Sequence, residues 1–557
     1  MPTKYLACDP NVGSDGNSGD SEKDPWLTLQ VSIDKMVKAR TNPTETCILM
    51  IMNYQVDETA LLKGQSHSNF QFIGTTPPNV SNDPHQEVLF CEPRPRMWSP
   101  NPDKPVFRIE DADDIKIENL VLFNSHRGVE ALNAKNVQIV KCCIHHNKAK
   151  RGSGFLLEKC TGPLVDTCRV WSNEATEDDG GGGAFDKCEG AIVKKSFFFL
   201  NNAKKVGGAL SFRDCTHEIA IDANDFGDKK VDHNTAKQGG AVAAEGCEKL
   251  AFGLAVGRNS YKWNNASDIG GAVLLELCHN VVIRRDWYSD NSAIDSGGAI
   301  SSKGSDLTVH EAEIQHNQAR EGGGIKAAPG YDAQMKTVTG GLALYGCLVR
   351  KNEARGSGGG VFAFALSVTI EGGSFYDENQ AKHGGGFFFL ADSDGDQPLD
   401  IRKTTFVDNR ASSAGGGAEI EGGKHVSIKQ CTFESNKTDY GALNYMGSGK
   451  SNYKIELHDC RFQSNEGTDA GAASFVDALA GSIQNNRILD NQASDCAGFL
   501  FLRSAVGQLG FTTNEFQGNS KGPDIVDWND AGNPQMTKST LEQDNTVNKL
   551  VPNAVVK

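Results

Sequence analysis

Apolar residues recur along this chain in short alternating runs, three to a period, separated by polar corners with no helical spacing between them. Residues 406–436 show one period. A run ends at Asn409, a glycine cluster follows at 415–417, and the runs AEIE and HVSIK precede the next run, which ends at Asn436. Many runs before the asparagine read F-x-x-N: Phe199 to Asn202, Phe406 to Asn409, Phe433 to Asn436, Phe462 to Asn465 and Phe516 to Asn519. The series begins at Asn147 and Asn173 and continues through Asn202, Asn234, Asn265, Asn291, Asn317, Asn352, Asn379, Asn409, Asn436, Asn465 and Asn491. Asn124 and Asn519 fit its ends, and successive spacings run from 23 to 35 residues.

Three short strands per period exclude a βαβ array and a helical solenoid. Stacking like segments as coils places parallel strands about 4.8 Å apart and buries one continuous core. Each recurring residue then has a role. Asn tolerates left-handed backbone at a sharp corner, and stacked amides can form a ladder. The glycine pair supplies positive φ and close backbone approach, and Phe of F-x-x-N is expected to point inward. Cys160, Cys188, Cys215, Cys247 and Cys278 share one register, which predicts a column of small buried side chains. Solenoid ends need caps. Trp26, Leu27, Leu29, Ile33, Met36 and Val37 predict an amphipathic capping helix near the start.

The segment KYLACDPNVGSDGNSGDSEKDPWLTLQVSID resembles the opening of pectate-lyase-like β-helix proteins: a strand, a G-S-D-x-N-x-G loop and a P-W-x-T-L-Q segment. The GGA and F-x-x-N repeats are also similar to those of chlamydial polymorphic outer-membrane proteins. The resemblance, covering roughly residues 5–520, implies an all-β, right-handed parallel β-helix solenoid of about fifteen coils with an N-terminal capping segment. The expected organisation is an opening segment and cap at 1–60, the β-helix at 61–520, and a C-terminal cap and tail at 521–557. That superfamily holds polysaccharide lyases, hydrolases, epimerases, phage tailspikes and adhesins, so fold alone leaves function open.

Composition narrows the partners. The 61 glycines fall in clusters without a collagen period, and an apolar fraction of 38% suffices for a core. A formal charge of −15 argues against nucleic acid, whose binding rests on neutralised phosphates. An anionic polysaccharide would need a local basic patch inside this acidic whole. No run of eighteen apolar residues predicts a membrane span. The first residues lack the pattern of a secretory signal. An extracellular, cell-surface or virion-surface location is expected, with an intracellular one open, as is self-association into a homo-oligomer. Fifteen cysteines, an odd number without a C-x-x-C pair, point away from zinc and from a disulfide framework.

Candidate chemistry follows from the stacking. Counting from the residue after the glycine pair, positions +2 and +4 should face outward. The +4 row reads Arg213, Glu245, Glu276, Lys303. Glu245 and Glu276, one coil apart, approach the roughly 5–5.5 Å separation of a retaining glycosidase pair. They suit acid/base work with Lys303, with Arg213 binding substrate, or coordination of Ca²⁺. The plainer alternative is a charged sheet face with cations offsetting acids. The +2 row reads Ser301, Lys326, Phe362, Phe388, Glu419, Asn444. Here Phe362 and Phe388 make a platform for a sugar ring or a partner, with Lys326 and Glu419 as further substrate contacts. Insertions at 328–341 and 391–399 stand beside this row as groove walls. Asp392, Asp394 and Asp396 alternate around Gly395 as in Ca²⁺ loops. Glu174, Glu177, Asp178 and Asp179 read as a solvated acidic loop. His145 and His146, consecutive on a strand, should point to opposite faces. The expected function is carbohydrate binding or cleavage by a lyase or hydrolase; the alternative is a non-enzymatic structural or adhesive β-helix.

Overall fold

A computed structural model describes residues 3–528 apart from 43, 53–54, 76–90, 92–93, 254–256, 373–374, 393–396, 448–452 and 505–508. The fold is an all-β parallel solenoid of about fifteen turns, divided into two compact units. The first comprises residues 1–267 and 271–282, the second residues 268–270 and 283–557.

Each coil contains the three expected strands and, in most coils, a fourth short one after the asparagine. Coils of the first unit run through post-glycine strands such as Leu210–Arg213, middle strands such as Ile192–Lys194 and pre-asparagine strands such as Phe197–Phe199. Brief post-asparagine strands such as Asn202–Ala203 complete them. The second unit repeats this order, for example at Ala418–Glu421, His425–Lys429, Thr432–Glu434 and Arg410–Ala414. Like strands pair in parallel and in register from coil to coil, as in Phe406↔Phe433 and Phe433↔Phe462. In the first unit, the helix Leu29–Ala39 buries Leu29, Ile33 and Met36 at the expected end.

Polar ladders hold the corners. In the first unit, Asn147, Asn173, Asn201, Asn234 and Asn264 are buried, and each side-chain amide donates to the next one's oxygen at 3.0 Å. The same chain runs in the second unit from Asn291 through Asn317, Asn352, Asn379, Asn409, Asn436, Asn465 and Asn491. Two rungs differ from the sequence-based expectation: the ladder uses Asn201 and Asn264, while Asn202 and Asn265 are exposed. Neighbours on an extended chain face opposite ways, so one residue decides which amide is interior. The stacked phenylalanine shifts with it, from Phe199 to Phe198, which packs on Phe226 at 5.2 Å.

Cys160, Cys188, Cys215, Cys247 and Cys278 form the expected column, each fully buried. Their thiols also work as rungs. Cys188 Sγ donates to the Leu157 carbonyl at 3.1 Å, and Cys278 Sγ to that of Ala244 at 3.4 Å. One disulfide, Cys91–Cys143, departs from the expectation that the cysteines serve as core filling. His145 and His146 also depart: His146 takes a positive φ of 55°, which turns its ring back so that the two Nδ1 atoms lie 2.8 Å apart.

Candidate functional site

The outer face of the post-glycine sheet is built by two outward rows and one corner. In the first unit, the +4 positions stack in register as Glu158, Asp186, Arg213, Glu245 and Glu276. Arg213 is the one cation among five successive residues of this row. Its guanidinium reaches backward to Asp179, the residue just before a glycine run, and forward to Glu245 Oε2 at 3.6 Å. The register predicted for Glu245 and Glu276 is present: the two residues are direct partners on adjacent strands, about 4.8 Å apart.

Asp179 is the residue that sequence reasoning passed over. Glu174 and Glu177 of the same loop do lie toward solvent, paired with Lys148 and Lys150. Asp179 is only 2% exposed. Burial, together with its hydrogen bond to Asp178, raises its proton affinity well above the ordinary carboxylate range, against the pull of Arg213. Asp178 stays low despite partial burial, because Asp179 and Lys205 both hydrogen-bond to it. The two carboxyls titrate together, and of the two Asp179 has the higher proton affinity. A signal existed in the sequence: Asp179 occupies the place before the glycines, and that place hangs over the outward rows.

Asp179, Val206, Ser211, Arg213, Glu245 and Glu276 line a shallow depression with room for about one water, about 20 Å³. The Ser211 hydroxyl in its floor is buried and makes no hydrogen bond. Facing charges are Asp178, Asp179, Asp186, Glu245 and Glu276 against Arg213, Arg151 and Lys205. Arg151 is already bound to Asp186 at 2.6 Å.

The second unit corrects the aromatic platform. The +2 row stacks as expected through Ser301, Lys326, Phe362, Phe388, Glu419 and Asn444. Phe362 and Phe388 are nevertheless only 6% and 4% exposed and pack on each other edge to face at 5.1 Å. The glycine corner covers them. A Cβ on Gly358 would fall 2.7 Å from the Phe362 Cβ, and one on Gly384 would fall 2.8 Å from that of Phe388. An outward side chain four residues after such a glycine is roofed by it. Lys326 is held by Glu321, with its ammonium 5.2 Å from the Phe362 ring centre.

Glu419 was expected to contact substrate and is 1% exposed. It accepts a hydrogen bond from Asn444 Nδ2 at 3.1 Å and lies 3.2 Å from His383 Nδ1. Burial and the charge of Glu421 push its carboxyl up to about 7, while burial lowers the His383 imidazole. The +4 row beside them carries Phe364, which is 36% exposed.

Lys303 belongs to the second unit, at the end of Ile300–Lys303, in register with Ala328. Of the proposed Ca²⁺ ligands, Asp394 and Asp396 lie outside the described residues. Among the described residues, no three His, Cys, Asp or Glu side chains gather at metal-binding distance. The 328–341 insertion folds as a small hairpin, Gly330–Tyr331 against Thr337–Val338.

Comparison with known proteins matches residues 347–541 to the family described as right handed beta helix region, in agreement with the resemblance carried by the N-terminal segment. No curated protein sequence matches the chain significantly. Similar solved structures include DFA-IIIase from Arthrobacter chlorophenolicus A6, at 10% identity and TM-score 0.29, covering 64% of this chain and 89% of that one. The catalytic domain of a GH87 alpha-1,3-glucanase is similar at 8% identity and TM-score 0.26, covering 91% and 67%. The PL6 family alginate lyase AlyGC is similar at 10% identity and TM-score 0.20, covering 89% of each chain. Likeness at this level speaks to neither substrate nor mechanism. What the comparison establishes is a right-handed β-helix match over about a third of the chain.

Proposed function

We propose that the protein is a carbohydrate-active β-helix that hydrolyses a neutral polysaccharide on the outer face of the post-glycine sheet in its first unit. The observation that carries this reading is the group around Arg213. A buried Asp179 of raised proton affinity and an in-register pair of acids, Glu245 and Glu276, share one small depression. In this reading Asp179 gives a proton to the glycosidic oxygen as general acid. Glu245 and Glu276 are the candidates for nucleophile or base, at a spacing near that of a retaining pair, roughly 5–5.5 Å. Arg213 fixes Asp179 and offsets the acids around it. Local charge favours hydrolysis over uronate elimination: five carboxyls face three cations, so a uronate would meet net repulsion. Lys303 and Lys326 have no part in this assignment.

The test is a polysaccharide panel scored for new reducing ends and for unsaturated products. Reducing ends from a neutral glycan are expected. The Glu245→Gln, Glu276→Gln double variant is expected to abolish them, and Asp179→Asn to lower kcat by about 10²- to 10⁴-fold. Unchanged turnover in the double variant removes these residues from the chemistry, and unsaturated products alone would make the protein a lyase.

One observation favours a structural or adhesive protein instead. In the second unit the +4 row is mostly apolar, running Phe364, Leu390, Glu421, Met446, Val476 and Leu502 in register, with Phe364 36% and Met446 37% exposed. Patches of this kind mark contact surfaces. Inactivity on the whole panel, with self-association lost on Phe364→Ser, would support that reading.

A further inference from the structure

The post-asparagine strands of the second unit present a different surface. Their outward side chains form two rows, one residue and three residues after each ladder asparagine, around a floor of Ala381, Ala411 and Gly467. Several cations elsewhere on these rows are paired with acids, while Lys204 and Lys237 of the first unit are exposed without one among the described residues. Lys148 meets Glu174 at 2.8 Å and Lys150 meets Glu177 at 3.2 Å in the first unit. In the second unit, Arg320 binds Asp295 and Glu321, and Lys437 meets Glu466 at 2.9 Å.

Between those pairs the pattern breaks. Arg355, Lys382 and Arg410 lie on three successive coils, are exposed, and make no ion pair among the described residues. Glu353, Gln380 and Arg410 are register partners at about 4.8 Å per coil. Arg355 and Lys382 lie two residues beyond Glu353 and Gln380, so Lys382 follows Arg355 in one row and is diagonal to Arg410 in the other. Beside them runs an open groove whose polar lining is Gln380, Arg410, Ser412, Lys437, Thr438, Asp439 and Glu466. Glu466 is paired with Lys437, and Asp439 accepts from Thr468 Oγ1 at 2.9 Å. The positive field there is felt by His383, whose imidazole is lowered first by burial and then by the charge of Lys382. In a chain of net charge −15, three cations without ion pairs thus stand beside hydroxyl and amide groups suited to sugar hydroxyls.

We infer that this groove binds an anionic glycan, with Arg355, Lys382 and Arg410 meeting successive carboxylates or sulfates and Gln380, Ser412 and Thr438 meeting hydroxyls. Guanidinium pairs with such oxyanions bidentately. A nucleic acid is the less fitting polyanion: single strands are held by aromatic platforms, and no aromatic side chain lines this groove. The inference shares the carbohydrate class of the proposed function but does not depend on hydrolysis in the first unit.

The test is affinity electrophoresis of the full chain through gels containing polygalacturonate, heparin or neutral dextran. Retardation by one or both polyanions is expected, weakening with added salt, and absent with dextran. The two polyanion arms separate carboxylate from sulfate recognition. The Arg355→Gln, Lys382→Gln, Arg410→Gln variant should bind at least tenfold more weakly. A charge-matched control in the first unit, Lys148→Gln, Lys150→Gln, Lys204→Gln, should bind like the parent. The inference is overturned by no retardation in either polyanion, by equal weakening in the control, or by an oligonucleotide of the same charge competing as well as the glycan. Asp179→Asn is expected to leave retardation unchanged, so loss of hydrolysis and loss of this binding are read separately.

Discussion

Replacing Asn201 by Ala is expected to cost about 2–5 kcal/mol of stability, while replacing Asn202 costs less than about 0.5 kcal/mol. The two residues are neighbours of the same type, so local propensity cannot distinguish them. Asn201 is fully buried. Its Nδ2 donates to the Val170 carbonyl at 2.9 Å and to Asn234 Oδ1 at 3.0 Å. Its Oδ1 accepts from the Asn173 backbone at 3.2 Å and from Asn173 Nδ2 at 3.0 Å. Alanine removes all four bonds and leaves groups above and below without water, each costing about 1–3 kcal/mol. Asn202 is exposed and accepts one hydrogen bond from Thr235 Oγ1 at 2.9 Å, which water replaces. Urea unfolding followed by circular dichroism measures both variants. Equal effects would mean that the amide column carries no special share of stability.

The second large effect concerns pH. Glu419 binds its proton more tightly in the folded protein, at about 7, than the ordinary value of 4.5. Between those values the folded state holds more protons than the unfolded chain, so stability falls as pH rises from about 4.5 to about 7 and is level above. The shift corresponds to about 3 kcal/mol. The groups facing this carboxyl are His383, Asn444 and Glu421, and His383 is itself held neutral by burial, so it supplies little compensating charge. Glu419→Gln keeps the shape and the acceptor for Asn444 while removing the ionisation. It is expected to leave stability at pH 4 nearly unchanged and to raise it by up to about 3 kcal/mol at pH 8. Melting curves of parent and variant across this range measure the difference. Parallel curves at every pH would show that the carboxyl does not titrate as described.

Much of the site was legible for one reason: a solenoid converts sequence spacing into spatial contact. The coil period, the glycine corners, the cysteine column and the Glu245–Glu276 register all follow from counting residues between repeats. Direction was harder to read than position. Whether Asn201 or Asn202 turns inward depends on a single step of strand phase, and Phe198 follows that choice. The alternation rule correctly turned Phe362, Phe388 and Glu419 away from the core, but it had no term for the glycine corner that closes over them. Asp179 was misread by the same omission, since the corner that roofs the +2 row also carries the residue before it onto the outer face.

The amino-acid sequence by itself therefore determined the coil, its period and which positions become vertical neighbours, because these depend only on local backbone preference and repeat length. Which outward side chains meet solvent, which carboxyls hold a proton, and which cations stay unpaired were decided by tertiary structure. Solvation and charge pairing depend on what other strands and corners place within a few ångströms, and no spacing along a single chain records that.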